Sequence, residues 1–341
     1  MNNELLKKYY GEDFKKKEIR IKSYDFLENF LSENFNNYLE NKNTKLITDL
    51  YLSKLNELSL QEVSFLILHS GYIPDYYRND SSEETLHTKL TETLIYHWAI
   101  LIGFNKSILP SQKSSYEDVT ISNGKNIIVC DAKSFRLGRS QSSPNVKDTI
   151  KLADYEKWLI KYGKKGIGGL ITFPSLHDWK KGGDVYQYVS DPQKKVLLLF
   201  YEYISFFLTL NYKSKNLIDL INNYPELFKI KSQNKENYWK KIIEYLFKNN
   251  MKDFKKLDSL AKSISQEHAE YKKKLLDKKI SAMLNEIKIS LKEYKSIDIL
   301  INELLSDDEK KIDKILGKIN DIKDYKNKIK RIKDFRIKWK I

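Results

Sequence analysis

A chain of 341 residues that is 41% hydrophobic, with 23 Tyr and 15 Phe, can bury the core of one large domain or two ordinary ones, which excludes a disordered polypeptide. A net charge of +15 and a pI near 9.3 favour a polyanionic partner, nucleic acid ahead of an anionic membrane surface, although solvated Lys-rich helix faces give the same balance. A single cysteine, Cys130, excludes an internal disulfide and a cysteine-based zinc site, and the five histidines show no paired ligand spacing.

The opening MNNELLKKYYGEDF lacks the apolar core of a signal peptide. The longest apolar stretch, Val196 to Leu210, is interrupted by Glu202 and falls short of the ~20 residues a membrane span needs. A soluble cytoplasmic protein with no membrane partner is expected.

Residues 1–80 read as a helical region of short amphipathic segments, among them Leu46 to Leu58 and Ser59 to His69. SGYIPDYYRNDSS then breaks the pattern, and a longer helix starts at Ser81, where Ser81 and Glu84 have capping-box spacing and Leu86, Leu90, Leu94 and Leu101 mark the buried face. The stretch 81–245 is the expected catalytic core. In it YEDVTI and NIIVCDAKSF flank an Asn-Gly turn, IKLADYEKWLIKY is helical, GGLITF and KVLLLF are strands, and YEYISFFLTL is a helix. From 246 to 341 the chain reads as Lys-rich helices, with Ile280, Met283, Leu284, Ile287, Leu291 and Tyr294 at helical spacing, then Ile315, Ile319 and Ile322.

The chemistry starts from Asp131-Ala132-Lys133. Alone the triplet is weak, since 46 acids and 61 bases produce about eight such matches by chance. Its surroundings raise it. With Asn123-Gly124 as a two-residue turn, Ser122 faces Lys125 and Asp118 faces Val129. Asp118 and Asp131 then become diagonal neighbours on the face that also carries Lys133. A four-residue turn with the same pairing keeps them there, whereas a three-residue turn brings in Glu117 instead. Two carboxylates, a backbone carbonyl such as that of Ala132, and no Cys or His ligand set suit Mg²⁺. Such an ion activates water and neutralises a transferring phosphoryl group, with Lys133 at hand to hold the attacking water or to stabilise the developing charge. The plainer reading is an exposed strand end at Asp118 and a surface ion pair between Asp131 and Lys133. Against it stands the unbroken apolar run Ile127 to Cys130, which implies a strand buried on both faces and an acid in costly surroundings.

The run CDAKSFRLGR, Cys130 to Arg139, resembles the catalytic strand of the HindIII restriction endonuclease family, type II enzymes of the PD-(D/E)xK nuclease superfamily. SGYIPDYYRNDSSEETL, YEDVTI, VKDTI, KVLLLFYEYISFFLTL and ENYWKKII are similar to further segments of that family, so the resemblance covers roughly residues 60 to 250. It implies Asp131 and Lys133 as the acid and lysine of the catalytic triplet and Asp118 as the first metal-binding acid. It also implies Asp148 as a supporting aspartate, though the loop SQSSPNVK before it differs in length from the family's. Glu84 takes the place of an accessory metal-binding carboxylate at the start of the long helix, with its cap the competing role. Arg136, Arg139, Lys147 and Lys151 are the expected DNA contacts. Trp158 and Trp179 are expected in the core or a dimer contact, and Cys130 is a small core residue.

The resulting expectation is an α/β protein, a restriction-endonuclease-like mixed β-sheet core flanked by helices, with helical N- and C-terminal regions. The resemblance implies a homodimer cutting double-stranded DNA at a palindromic site, with a DNA methyltransferase as genetic partner. A less specific nuclease of the same superfamily and a non-catalytic DNA-binding protein are the rivals.

Overall fold

Asn2, Asn43, Ser59, Ser81 and Asn234 each cap the start of a helix with a side-chain oxygen. The computed structural model describes residues 1–110, 116–139, 145–292 and 309–338. Four helices come first: α1 (Asn3–Tyr10), α2 (Lys17–Asn41), α3 (Thr44–Asn56) and α4 (Leu60–Ser70). After β1 (Tyr72–Ile73) and α5 (Ser82–Leu101) come β2 (Val119–Ser122), β3 (Ile127–Ala132), β4 (Phe135–Arg136), α6 (Val146–Thr149) and α7 (Leu152–Ile160). Then follow β5 (Gly166–Phe173), α8 (Val185–Val189), β6 (Val196–Phe200) and α9 (Tyr201–Thr209). The remaining helices are α10 (Ser214–Asn222), α11 (Tyr224–Leu227), α12 (Lys235–Phe247), α13 (Met251–Lys292) and α14 (Glu309–Lys338).

The helices α4 and α5 are capped differently. At α4 the exchange is complete: the Ser59 hydroxyl accepts the Glu62 N–H and the Glu62 carboxylate accepts the Ser59 N–H. At α5 Ser81 accepts the Glu84 N–H, but the Glu84 carboxylate reaches one residue further back, to the Asp80 N–H at 2.8 Å. The predicted inward face of α5 is observed at Leu86, Leu90 and Leu94, while Leu101 is half-buried. Thr91, Thr93 and Trp98 are buried too, so the helix is enclosed on most sides.

Two compact units divide the chain, and they interleave in sequence. The larger comprises Met1–Ile73, Asn79–Phe135 and Gln141–His268, so the N-terminal helices share it with the sheet; the smaller comprises Pro74–Arg78, Arg136–Ser140 and Ala269–Ile341.

In the larger unit a four-stranded sheet has the order β2-β3-β5-β6. β2 and β3 are antiparallel, and β3, β5 and β6 run parallel, which makes the sheet mixed. Ile128, Val129 and Cys130 are fully buried, as a strand covered on both faces requires. Backbone bonds from Lys106 and Ile108 to β2 cover part of its outer edge.

The hairpin register differs from expectation. Val119 pairs with Cys130, Thr120 with Val129 and Ser122 with Ile127. The turn is the four residues Asn123 to Asn126, one position further along than the predicted turn. The Asn123 side chain accepts N–H groups from Lys125 and Asn126, and Gly124 adopts a φ of +89°. The pairing therefore slips by two residues against the predicted one, an even number that preserves parity. Asp118 consequently stands opposite Asp131 instead of Val129.

The smaller unit is knit by its own polar contacts. The buried Asp75 carboxylate accepts the Gly138 N–H at 3.1 Å from each oxygen. Burial pushes its carboxyl up to about 6. Lys328 of α14 donates to the Asp75 carbonyl, Arg331 donates to that of Gly138, and Lys318 pairs with Glu286 of α13.

Candidate active site

Asp131 is the penultimate residue of β3, and the parallel partner β5 holds the chain beyond it through a bond from the Lys133 N–H to the Thr172 carbonyl at 2.8 Å. Asp118, just before β2, donates its N–H to the Cys130 carbonyl at 3.0 Å. Its Oδ2 accepts the Ala132 N–H at 2.9 Å. Two adjacent chain segments thus lock two carboxylates side by side on one face.

Every acid here has a donor. Lys133 Nζ lies 2.8 Å from Asp131 Oδ1, and the Tyr155 hydroxyl donates to Asp131 Oδ2 at 2.8 Å. On α5, Lys89 Nζ bonds Glu92 Oε2 at 2.7 Å and the Pro110 carbonyl at 3.0 Å.

Burial drives the Asp118 carboxyl well above its ordinary range, and the negative charges of Asp131 and Glu92 push it the same way. For Lys133, burial pulls the ammonium down, but Asp131, Asp118 and Glu92 outweigh it and leave a net rise. Lys133 is consequently a charged donor at neutral pH.

Glu117 lies in a separate arrangement, accepting hydroxyls from Tyr162 at 2.5 Å and Thr120 at 2.7 Å. Burial, with the nearby Glu117, pushes the Tyr162 phenol up to about 12. The register that would have exchanged Glu117 for Asp118 is not adopted.

The donor chemistry fits a hard divalent cation. Burial first, and the neighbouring Asp131 after it, raise the Asp118 carboxyl and so favour its protonated form. An ion supplies the same compensation without the proton. Among the described residues no group of three or more His, Cys, Asp or Glu is arranged to hold a metal. Mg²⁺ needs no such cage, since it commonly uses one or two carboxylates and fills its remaining positions with water and phosphate oxygens.

The family model described as HindIII restriction endonuclease matches residues 30–312. The chain belongs to the HindIII restriction endonuclease family. It is thereby a site-specific deoxyribonuclease of the type II restriction class. Among curated proteins, the type II restriction enzyme HindIII of Haemophilus influenzae (strain ATCC 51907 / DSM 11121 / KW20 / Rd) is 26% identical over 301 residues, covering 79% of this chain and 94% of that relative.

Within this member of the HindIII family, Asp118, Ala132, Asp131 and Lys133 come together. Glu84 remains in its cap, and the acid that α5 directs toward Asp118 and Lys133 is Glu92, two turns on. The Arg136 guanidinium donates to the Pro74 carbonyl at 2.8 Å and the Arg78 carbonyl at 3.2 Å, holding that loop of the smaller unit. Arg139 is half-buried, with its guanidinium shifted down by burial. Lys151 is exposed at the N-terminus of α7. The side chains of Lys147 and Asp148 lie outside the described residues.

Trp179 is buried against Phe173, Trp158 is half-buried beside Tyr155, and Cys130 is core. Among the described residues no helix is long and apolar enough to cross a membrane. Sequence reasoning missed Glu92, Lys89 and Tyr155. The i, i+3 spacing of Lys89 and Glu92 was visible, but nothing local set it apart from an ordinary surface pair.

Proposed function

We propose that this enzyme hydrolyses phosphodiester bonds of double-stranded DNA at a short palindromic site with Mg²⁺, through Asp118, Asp131 and Lys133. The observation that carries the reading is the mutually repelling pair of half-buried Asp118 and buried Asp131, with the Lys133 ammonium 2.8 Å from Asp131. Asp118, Asp131 and the Ala132 carbonyl are the groups that would hold the ion. Bound there, it lowers the pKa of water and neutralises charge on the phosphoryl group.

Lys133 keeps its proton and acts by donation, stabilising the oxygen on which negative charge develops. Asp131 orients that ammonium and supports its charge. Ala132 N–H holds the Asp118 carboxylate against its neighbour's repulsion.

Arg139, Lys147 and Lys151 are candidates for phosphate contact, Arg136 for a supporting contact, Asp148 for a role behind the site and Glu84 for an accessory acid. A homodimer presenting one site to each strand matches the two-fold symmetry of palindromic DNA. A cognate methyltransferase is the expected genetic partner.

Digestion of a sequenced plasmid tests this. With Mg²⁺, discrete fragments with one end sequence are expected, and with Ca²⁺ binding without appreciable cutting. A smear of unrelated ends indicates a less specific nuclease. No cleavage, with DNA binding indifferent to chelation, would overturn the proposal.

A further inference from the structure

Tyr155 is buried on α7, yet its hydroxyl is spent on a carboxylate of the site. It donates to Asp131 Oδ2 at 2.8 Å, while Lys133 holds Oδ1 at the same distance. A carboxylate at the end of a strand can rotate about its last bond, exchanging its two oxygens. A fixed donor on one oxygen removes that freedom.

The ring is itself fixed, and β5 is built to admit it. A Cβ on Gly169 would stand 2.7 Å from Tyr155 Cδ1, a distance that real Cβ contacts do not show. Glycine inside a strand costs stability and weakens packing. Here it opens the space in which the phenol lies across the sheet toward Asp131. Trp158, on the same helix, meets the ring edge-on at 5.0 Å between centroids.

We propose that Tyr155, seated on Gly169, is a positioning residue that sets the orientation of Asp131 for cation binding. The phenol is a neutral donor, so it orders the carboxylate without cancelling the charge that attracts the ion. Lys133 cannot do this alone, because its ammonium must also serve the reacting phosphate. Groups that orient metal ligands in this way are worth about 10- to 100-fold in affinity or activity when removed.

The inference rests on the metal-dependent nuclease reading, and its test separates the two. Mn²⁺ binding to the full-length protein without DNA is measured by the signal of free Mn²⁺, and the Mg²⁺ concentration for half-maximal cleavage is measured alongside. Tyr155→Phe keeps the ring and is expected to weaken Mn²⁺ binding about tenfold and raise the Mg²⁺ requirement in step. Gly169→Ala keeps the hydroxyl but displaces the ring, and it is expected to shift both quantities in the same direction. If Tyr155→Phe does not fold, Gly169→Ala carries the test.

Wild-type Mn²⁺ affinity and Mg²⁺ dependence in a folded variant overturn the role of Tyr155. So does a lower maximal rate at unchanged metal affinity. Wild-type protein that neither binds Mn²⁺ nor cuts DNA would overturn the nuclease reading itself.

Discussion

Replacing Lys133 by alanine removes a positive charge 2.8 Å from Asp131 Oδ1 and leaves Asp131, Asp118 and Glu92 repelling one another. Unit charges at that separation attract by about 6 kcal/mol in an effective dielectric of about 20, and desolvation of both groups offsets much of this. Loss of one partner from a buried pair typically costs about 3–5 kcal/mol. Lys133 is 31% accessible, and Tyr155 still donates to Asp131. The expected cost is therefore lower, about 2 kcal/mol, or about 4 °C in Tm for a chain of this size.

The sign with pH follows from Asp118. Its folded pKa is raised, so the stability linked to its proton is present at low pH and is lost as pH rises through the folded value. Without Lys133 the acids hold that proton more tightly. The deficit of Lys133→Ala should grow as pH rises above the ordinary carboxylate range, and Ca²⁺ should raise the Tm of the variant more than that of the wild type. Cleavage should fall by about 10³-fold or more, equivalent to about 4 kcal/mol of transition-state stabilisation. Asp131→Asn should lose cleavage to a similar degree but lose the Ca²⁺ response as well. Thermal unfolding in EDTA and in Ca²⁺ at two pH values, beside single-turnover plasmid cleavage, checks each statement. A Lys133→Ala enzyme within about tenfold of wild-type rate, or a deficit that shrinks as pH rises, refutes the reasoning.

Two further expectations test the scaffold and the DNA surface. Glu202 of α9 is buried, accepts the Ser175 hydroxyl at 2.5 Å, and is pushed up to about 7 by burial, so Glu202→Gln should flatten the fall of Tm between about pH 5 and about pH 8. An unchanged Tm–pH profile would assign that slope to other groups. Arg139→Ala should weaken DNA binding in Ca²⁺ and reduce the salt slope by about 1 if the side chain neutralises a phosphate; an unaltered slope makes Arg139 a structural residue.

The parts of the fold legible in sequence are those set by local pattern. The apolar run Ile127 to Cys130 announced a strand covered on both faces, and Ser81 announced the start of α5. The turn was harder, because Asn123-Gly124 serves equally as the tip of a two-residue turn or as the opening of the four-residue turn that forms. What decides is the Asn123 side chain, which takes two N–H groups from the residues that follow. The site survived the wrong register because strand faces depend only on parity. Glu84 is legible only in part: its spacing from Ser81 points to the cap, but the carboxylate's partner, the Asp80 N–H, is set by the backbone at the helix entry. Tyr155 was out of reach of any local argument, since it meets Asp131 through the packing of α7 on β5.

That packing bears on why the hairpin alone does not make the site. β2 and β3 bring the two carboxylates together, and their repulsion opposes the fold that does so. Three donors from distinct sources restrain them: a backbone N–H from within β3, an ammonium just beyond its end, and a phenol from a helix across β5. The first two are carried by the hairpin strands themselves. The third exists only after the parallel crossover from β3 through α7 to β5 has formed and Gly169 has left room for the ring. On the proposed reading, the crossover between β3 and β5 is thus part of the site's geometry, because it carries the donor to Asp131 Oδ2.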